Sequence, residues 1–235
     1  MLKYNDAHNV EIQFLKTGYG MVARLNHIRN GNVKDPYLPS VFDVGVLGTK
    51  YPSTINGVQT KEYKLWNSML QRCYSDNSKK KYPTYEGCEV SDNFKSYEYF
   101  YEWCHNQIGF SNDGNGNPFH LDKDLLVKGN KIYSESTCVF IPSEINAILT
   151  KRTASRGEHL IGVHWYKKGK AFKAQISKNK GKREHLGSFN TELEAFRAYK
   201  EAKEAFVKEQ AEKWKGKIDD RAYNALINYQ VEITD

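Results

Sequence analysis

Between Gly162 and Tyr199 the hydrophobic pattern changes from a period of two to a period of 3.6 across one capping signal. No other feature constrains the fold as tightly. Phe172, Ala174 and Ile176 alternate with Lys173, Gln175 and Ser177, as in a strand with one packed and one open face. Lys168-Gly169-Lys170 before it and Asn179-Lys180-Gly181 after it supply the Gly and Asn that short hairpins need, so three antiparallel strands are expected. Thr191, followed three residues later by Glu194, forms a capping box, and Leu193, Ala195, Phe196, Ala198, Tyr199 and Ala202 give the apolar stripe of a helix. Three alanines in that stripe let the helix lie close on the sheet.

Charge indicates what the open face meets. Residues 151–188 carry 11 Lys or Arg against two Glu, so about nine of the positive charges arise here, and the rest of a chain of net charge +7 is slightly acidic. The asymmetry is an electrostatic footprint for phosphate, the alternative being a solvated Lys-rich surface.

The residues that carry this pattern are Gly162-Val163, Trp165, Phe172, Ala174, Ile176, Leu186-Gly187, Phe189, Thr191, Glu194-Ala195 and Ala198-Tyr199. Together they resemble the Apetala-2/ethylene-response-factor DNA-binding domain. The resemblance implies a sheet in the major groove of double-stranded DNA, with His164, Tyr166, Lys173, Gln175, Ser177, Arg183 and His185 facing bases and phosphates. His164 and His185 stand where the plant domains favour Arg and Trp, so the plant target sequence does not carry over.

The 235 residues, 39% of them hydrophobic, suffice for one large or two to three small units, and no window approaches the roughly 18 apolar residues of a membrane span. The opening MLKYNDAHNV has no apolar core of a secretory signal, and Cys73, Cys88, Cys104 and Cys138 are too widely spaced for a zinc knuckle. Reduced thiols in an intracellular protein, in a host cytoplasm, are expected. Ser134, Ser136 and Ser143 suit turns and a helix start rather than a catalytic triad, and SNDGNGNP at 111–118 lacks the Lys of a phosphate loop.

Residues 1–58 read as a small β-rich module: Val10, Ile12 and Phe14 alternate with Glu11 and Gln13, Gly18 to Gly20 mark a turn, and Met21 to Leu25 form a return strand. Residues 59–150 open with an amphipathic helix carrying Leu65, Trp66, Met69, Leu70 and Cys73. A second carries Phe94, Tyr97, Phe100, Tyr101 and Cys104. Strand Phe119 to Asp124, a turn at Lys128 to Lys131, strand Cys138 to Ile141 and a helix opened by Pro142 then follow in ββα order.

The run Leu65-Trp66, Met69 to Tyr74, Tyr85-Glu86-Gly87, Leu121 to Asp124, Tyr133-Ser134, Thr137-Cys138 and Glu144-Ile145-Asn146 resembles the HNH endonucleases of bacteriophages and mobile introns. The resemblance implies a ββα nuclease site in which Asp122 is the strand metal ligand and Asn146 the last motif residue, with Thr137 in place of the usual loop Asn. It also implies a divalent metal, Mg²⁺ or Mn²⁺. HNH units joined to an Apetala-2-type domain resemble homing endonucleases. The position of the general-base His is taken by Lys123, whose ammonium does not deprotonate water near an ordinary pKa of about 10.4. Two substitutes are open: His120, on the same strand face as Asp122, as the base, or Asp124 completing the metal site, with Lys123 on the scissile phosphate. His120 as a plain surface histidine is the third reading.

The helix from Thr191 is expected to run to Gly216, with Asp219 or Asp220 capping a last helix whose Tyr223, Leu226 and Ile227 either pack back or serve a homodimer. The expectation is an α+β chain of four parts: 1–58, 59–150, 157–216 and 217–235. Its expected activity is metal-dependent DNA cleavage or nicking. The alternative is a DNA-binding protein on a degenerate HNH scaffold, and RNA binding is weaker still because the sheet has few exposed aromatics.

Overall fold

The computed structural model describes residues 2–111, 116, 119–150, 158–178 and 183–235. The expected Asn179-Lys180-Gly181 turn, most of the 111–118 connection and five of the basic residues between 151 and 188 lie outside the described residues. The chain is mixed α+β and forms two compact units: residues 1–106 with 131–135, and residues 107–130 with 136–235.

The first unit opens with a meander of β1 (Lys3–Asp6), β2 (Asn9–Gln13) and β3 (Gly20–Ala23), which buries Val10 and Ile12 as the alternation requires. The return strand stops at Ala23, because Leu25 already begins the short helix α1 (Leu25–Arg29). A two-residue hairpin, β4 (Thr54–Ile55) and β5 (Val58–Gln59), leads into α2 (Lys61–Tyr74). Thr60 caps α2 by accepting from the Tyr63 amide, and Trp66, Met69, Leu70 and Cys73 are buried at helical spacing. After α3 (Asp76–Lys81) and β6 (Glu89–Val90), the expected second helix is split into α4 (Asp92–Lys95) and α5 (Tyr97–His105). The break lies at Ser96, extended at φ −82° and ψ 121°, whose hydroxyl accepts from the Tyr99 amide and so caps a new helix. Phe94, Tyr97 and Phe100 are nonetheless fully buried on either side of it.

The chain then enters the second unit as β7 (Phe119–Asp122), returns to the first as β8 (Ile132–Tyr133), which runs parallel to β6, and crosses back as β9 (Val139–Pro142). β7 and β9 are antiparallel, with His120 opposite Ile141 and Asp122 opposite Val139, and α6 (Ser143–Leu149) packs on both. The ββα order read from the sequence is present.

The three-stranded sheet is β10 (Val163–Tyr166), β11 (Ala171–Ser177) and β12 (Arg183–Phe189), with β11 central, crossed by α7 (Glu192–Trp214). Both halves of the Thr191–Glu194 capping box form, an arrangement worth about 1 kcal/mol. Val163, Ala174 and Ile176 meet Ala195, Phe196 and Tyr199 in one core. Gly162 lies under the Tyr199 ring with φ +77°, and a Cβ there would approach that ring to 2.1 Å. α8 (Asp220–Ile227), capped by Asp219, folds back on α7 and buries Ala222 and Leu226, so the packing alternative holds within the chain.

Candidate nucleic acid interface and ββα site

The open face of the sheet follows from its register. His164 pairs with Lys173 and Lys173 with Ser188, Gln175 pairs with His185, and Ser177 with Arg183. Residues directly opposite each other point the same way, so His164, Lys173, Gln175, Ser177, Arg183 and His185 share the face away from α7. Tyr166 belongs to it too, because the Lys173 ammonium lies 3.6 Å from the centre of its ring, a cation–π contact that orients the lysine without neutralising it.

Ser188 joins them, which strict alternation from Arg183 and His185 does not foresee. Between Ala174 and Gln175 the register slips: Ala174 faces Gly187 while Gln175 faces His185, leaving Leu186 as an extra residue. Such a bulge turns Leu186 inward, where it packs on the core, and places Ser188 outward beside Lys173. Gly187, at φ +146°, supplies the backbone freedom.

Burial lowers the pKa of His164 below the ordinary 6.5, and the charges of Lys173, His185, Arg183 and His159 lower it further. The ring is therefore neutral at pH 7 and offers one donor and one acceptor. Its Nδ1 is buried with no hydrogen-bond partner among the described residues.

In the ββα site, α6 brings Asn146 to the first strand: its Nδ2 lies 3.2 Å from His120 Nδ1. His120 is exposed at the start of β7 and Asn146 is half-buried. In this orientation the amide donates and His120 Nδ1 accepts. With the amide turned over, Oδ1 accepts from Nδ1–H and Nε2 becomes the free basic nitrogen.

Asp122 ends β7, and its Oδ1 accepts from the amides of Asp124 (2.9 Å) and Leu125 (2.7 Å). Burial raises its carboxyl above the ordinary range against the pull of these amides. The alternation stops at Asp122, so Asp124 is not on the strand face but in the turn, where its carboxylate takes the Lys123 ammonium at 2.6 Å. Lys123 also donates to the Asn130 carbonyl, and the Asn130 amide donates back to the Lys123 carbonyl, both at 2.8 Å. With its side chain 7% exposed, Lys123 would have to leave these partners to reach a phosphate. Thr137 is half-buried just before β9.

Comparison with protein-family models, curated proteins and solved structures finds no match to this chain.

Among the described residues no three His, Cys, Asp or Glu side chains gather closely enough to hold a metal ion. The side chains at hand are the Asn146 amide beside His120, and Asp122 two residues along the same strand face. One carboxylate and one amide oxygen would leave a Mg²⁺ or Mn²⁺ ion to keep several waters and take its remaining ligands from a phosphate. The burial of Asp122 points the same way, because a cation would relieve an anion held out of water.

The sequence places Glu144 in the HNH-like run but shows nothing of its partners. Its Oε1 accepts from Trp214 Nε1 and from Lys213 Nζ, residues distant in the chain, and only the tertiary fold joins them. All four cysteines are buried thiols, and no helix among the described residues is long and apolar enough to cross a membrane.

Proposed function

We propose that this chain is a sequence-directed, double-stranded-DNA-binding endonuclease or nickase of the HNH type, similar in plan to homing endonucleases. The observation that carries the reading is that one compact unit holds both a cationic sheet face and a ββα element bearing the adjacent His120 and Asn146. Lys173 and Arg183 supply charge for phosphates, while His164, Gln175, His185, Ser177 and Ser188 offer the short polar groups that read base edges. Tyr166 holds Lys173 in place.

At the ββα site His120 takes the proton from the attacking water at Nε2, with the Asn146 amide turned so that its Oδ1 accepts from Nδ1–H and fixes the ring in that tautomer. Asp122 and Asn146 would hold Mg²⁺ or Mn²⁺, which when bound supplies positive charge to the scissile phosphate. Lys123 and Asp124 shape the turn that carries Asp122.

The test is a nicking and cleavage assay on supercoiled plasmid and phage DNA with Mg²⁺ or Mn²⁺, run beside Asp122→Ala and an EDTA control. Cleavage lost in both controls supports the nuclease. A second reading, a DNA-binding protein on a degenerate scaffold, is favoured by Lys123 occupying the place of the usual base and being folded into the turn. Salt-dependent binding without cleavage of any DNA would establish it.

A further inference from the structure

The reading face and the ββα element share one structural member. The first half of α7 covers the sheet through Ala195, Phe196 and Tyr199, and its second half holds the ββα element at three points. Buried Lys203 donates to the Ile148 carbonyl in the last turn of α6 at 2.6 Å. Trp214 Nε1 and Lys213 Nζ both donate to Glu144 in the first turn of α6. The Trp214 ring meets Phe119 edge-on with centroids 5.6 Å apart, and Phe119 directly precedes His120. Ile148 itself packs against the core of the sheet. Both ends of α6 and the start of β7 are thus fastened to the helix that carries the reading sheet.

We propose that α7 is a ruler, with Trp214, Glu144 and Lys203 as positioning residues that set one fixed offset between the DNA site read by the sheet and the phosphodiester presented to His120. This rests on the DNA-binding nuclease reading and adds to it a rule for where the cut falls. From Tyr199 to Trp214 the helix runs about 22 Å at ~1.5 Å per residue, so the offset lies within roughly one turn of DNA, ~10 base pairs. Lys203 adds stiffness. Burial lowers its pKa to about 8, and its bond to the Ile148 carbonyl lies out of competing solvent.

The test does not depend on the protein's own cleavage. Ala147, exposed on α6 beside Asn146, is replaced by Cys and coupled to iron-EDTA, the native thiols being buried. The probe is a duplex that the protein has selected from a random-sequence library, with its footprint mapped in parallel. The expected result is strand scission confined to a few nucleotides at one offset from the footprint. Glu144→Ala and Lys203→Met, each added to the tethered protein, should widen that window several-fold with the footprint unchanged. Glu144→Gln keeps an acceptor for Trp214 and should keep the window narrow. Thermal melting identifies any variant that has failed to fold, and the parent window decides the matter independently. Scission scattered over more than one turn of DNA beside an intact footprint overturns the ruler and leaves DNA reading standing, as does an unchanged window in both disrupting variants. Absence of any selected duplex or footprint overturns the DNA reading and the ruler with it.

Discussion

Asn146 Nδ2 and His120 Nδ1 are 3.2 Å apart, joining residues 26 positions apart in the chain through the packing of α6 on the β7–β9 hairpin. A general base needs a defined tautomer: with the amide turned so that Oδ1 accepts from Nδ1–H, Nε2 is left as the basic nitrogen, whereas the Nδ2-donating orientation leaves the proton on Nε2. In the first orientation the exposed ring presents Nε2 to water, and the pair has the parts of an oriented base.

Replacing His120 by Ala should lower DNA cleavage by about 10²- to 10⁴-fold, the usual share of general-base catalysis, and leave the footprint intact. Asn146→Ala should fall in the same range, because it loses both the ring partner and an oxygen that the proposed metal would use. Single-turnover cleavage of a bound duplex separates chemistry from binding. Cleavage unaltered in His120→Ala would return His120 to an ordinary surface histidine.

Lys123 is expected to act on stability rather than on chemistry. Lys123→Met leaves the Asn130 carbonyl and the Asp124 carboxylate without their ammonium, at a cost of about 1–3 kcal/mol in denaturant unfolding. A large loss of cleavage with unchanged stability would instead put Lys123 on the phosphate.

The open sheet face should bind DNA with strong salt dependence. Lys173→Ala or Arg183→Ala is expected to weaken binding and to reduce the slope of log K against log salt by about 1 each. Binding as tight as the parent's at several salt concentrations would remove the sheet from the groove.

Legibility followed the range of each interaction. The capping box of Thr191 and Glu194 and the alternation of Phe172, Ala174 and Ile176 are local, and both appear as read. The break at Ser96 was hidden because Phe94 and Phe100 keep to the core on both sides of it. The bulge at Leu186 was hidden because a Leu-Gly pair at a strand end looks like simple alternation, and it moved Ser188 onto the open face. Lys123 and Asp124 read as strand-face chemistry because nothing in LDKD shows that the Asp122 carboxylate takes two backbone amides and closes the strand. The Glu144–Trp214 and Lys203–Ile148 bonds span 70 and 55 residues and have no local signature.

His164 carries a pH signature. Its pKa is lowered in the folded protein, so below about 6.5 the unfolded chain binds more protons than the native one. Stability is then fully present above that value and is lost as pH falls through the depressed folded value. His164→Gln should flatten the slope of the unfolding midpoint between pH 7 and pH 5. An identical slope in parent and variant would show that the ring protonates freely in the folded sheet.

Gly162→Ala should loosen the helix from the sheet. Its φ of +77° is costly for alanine, and the new methyl would run into the Tyr199 ring. A loss of about 1–3 kcal/mol or more is expected from the backbone alone. DNA binding should fall with it, because that contact seats the helix on the sheet that carries the open face, and a melting temperature equal to the parent's would mean that Tyr199 can move aside at little cost.

The proposed metal offers a measurement independent of activity. Asp122 is partly buried and its Oδ1 already takes two amides, so in the absence of a cation the charge is poorly solvated. A cation bound by the folded chain alone raises stability as RT ln(1 + [L]/Kd), about 2.7 kcal/mol at a hundredfold excess over Kd. Millimolar Mg²⁺ or Mn²⁺ should therefore raise the melting temperature of the parent, EDTA should reverse the rise, and Asp122→Asn should abolish it. The variant relieves the buried charge, so without metal it should melt no lower than the parent. A parent indifferent to both ions, with Asp122→Asn destabilised, would make Asp122 a turn-capping residue and leave the ββα element without a metal role.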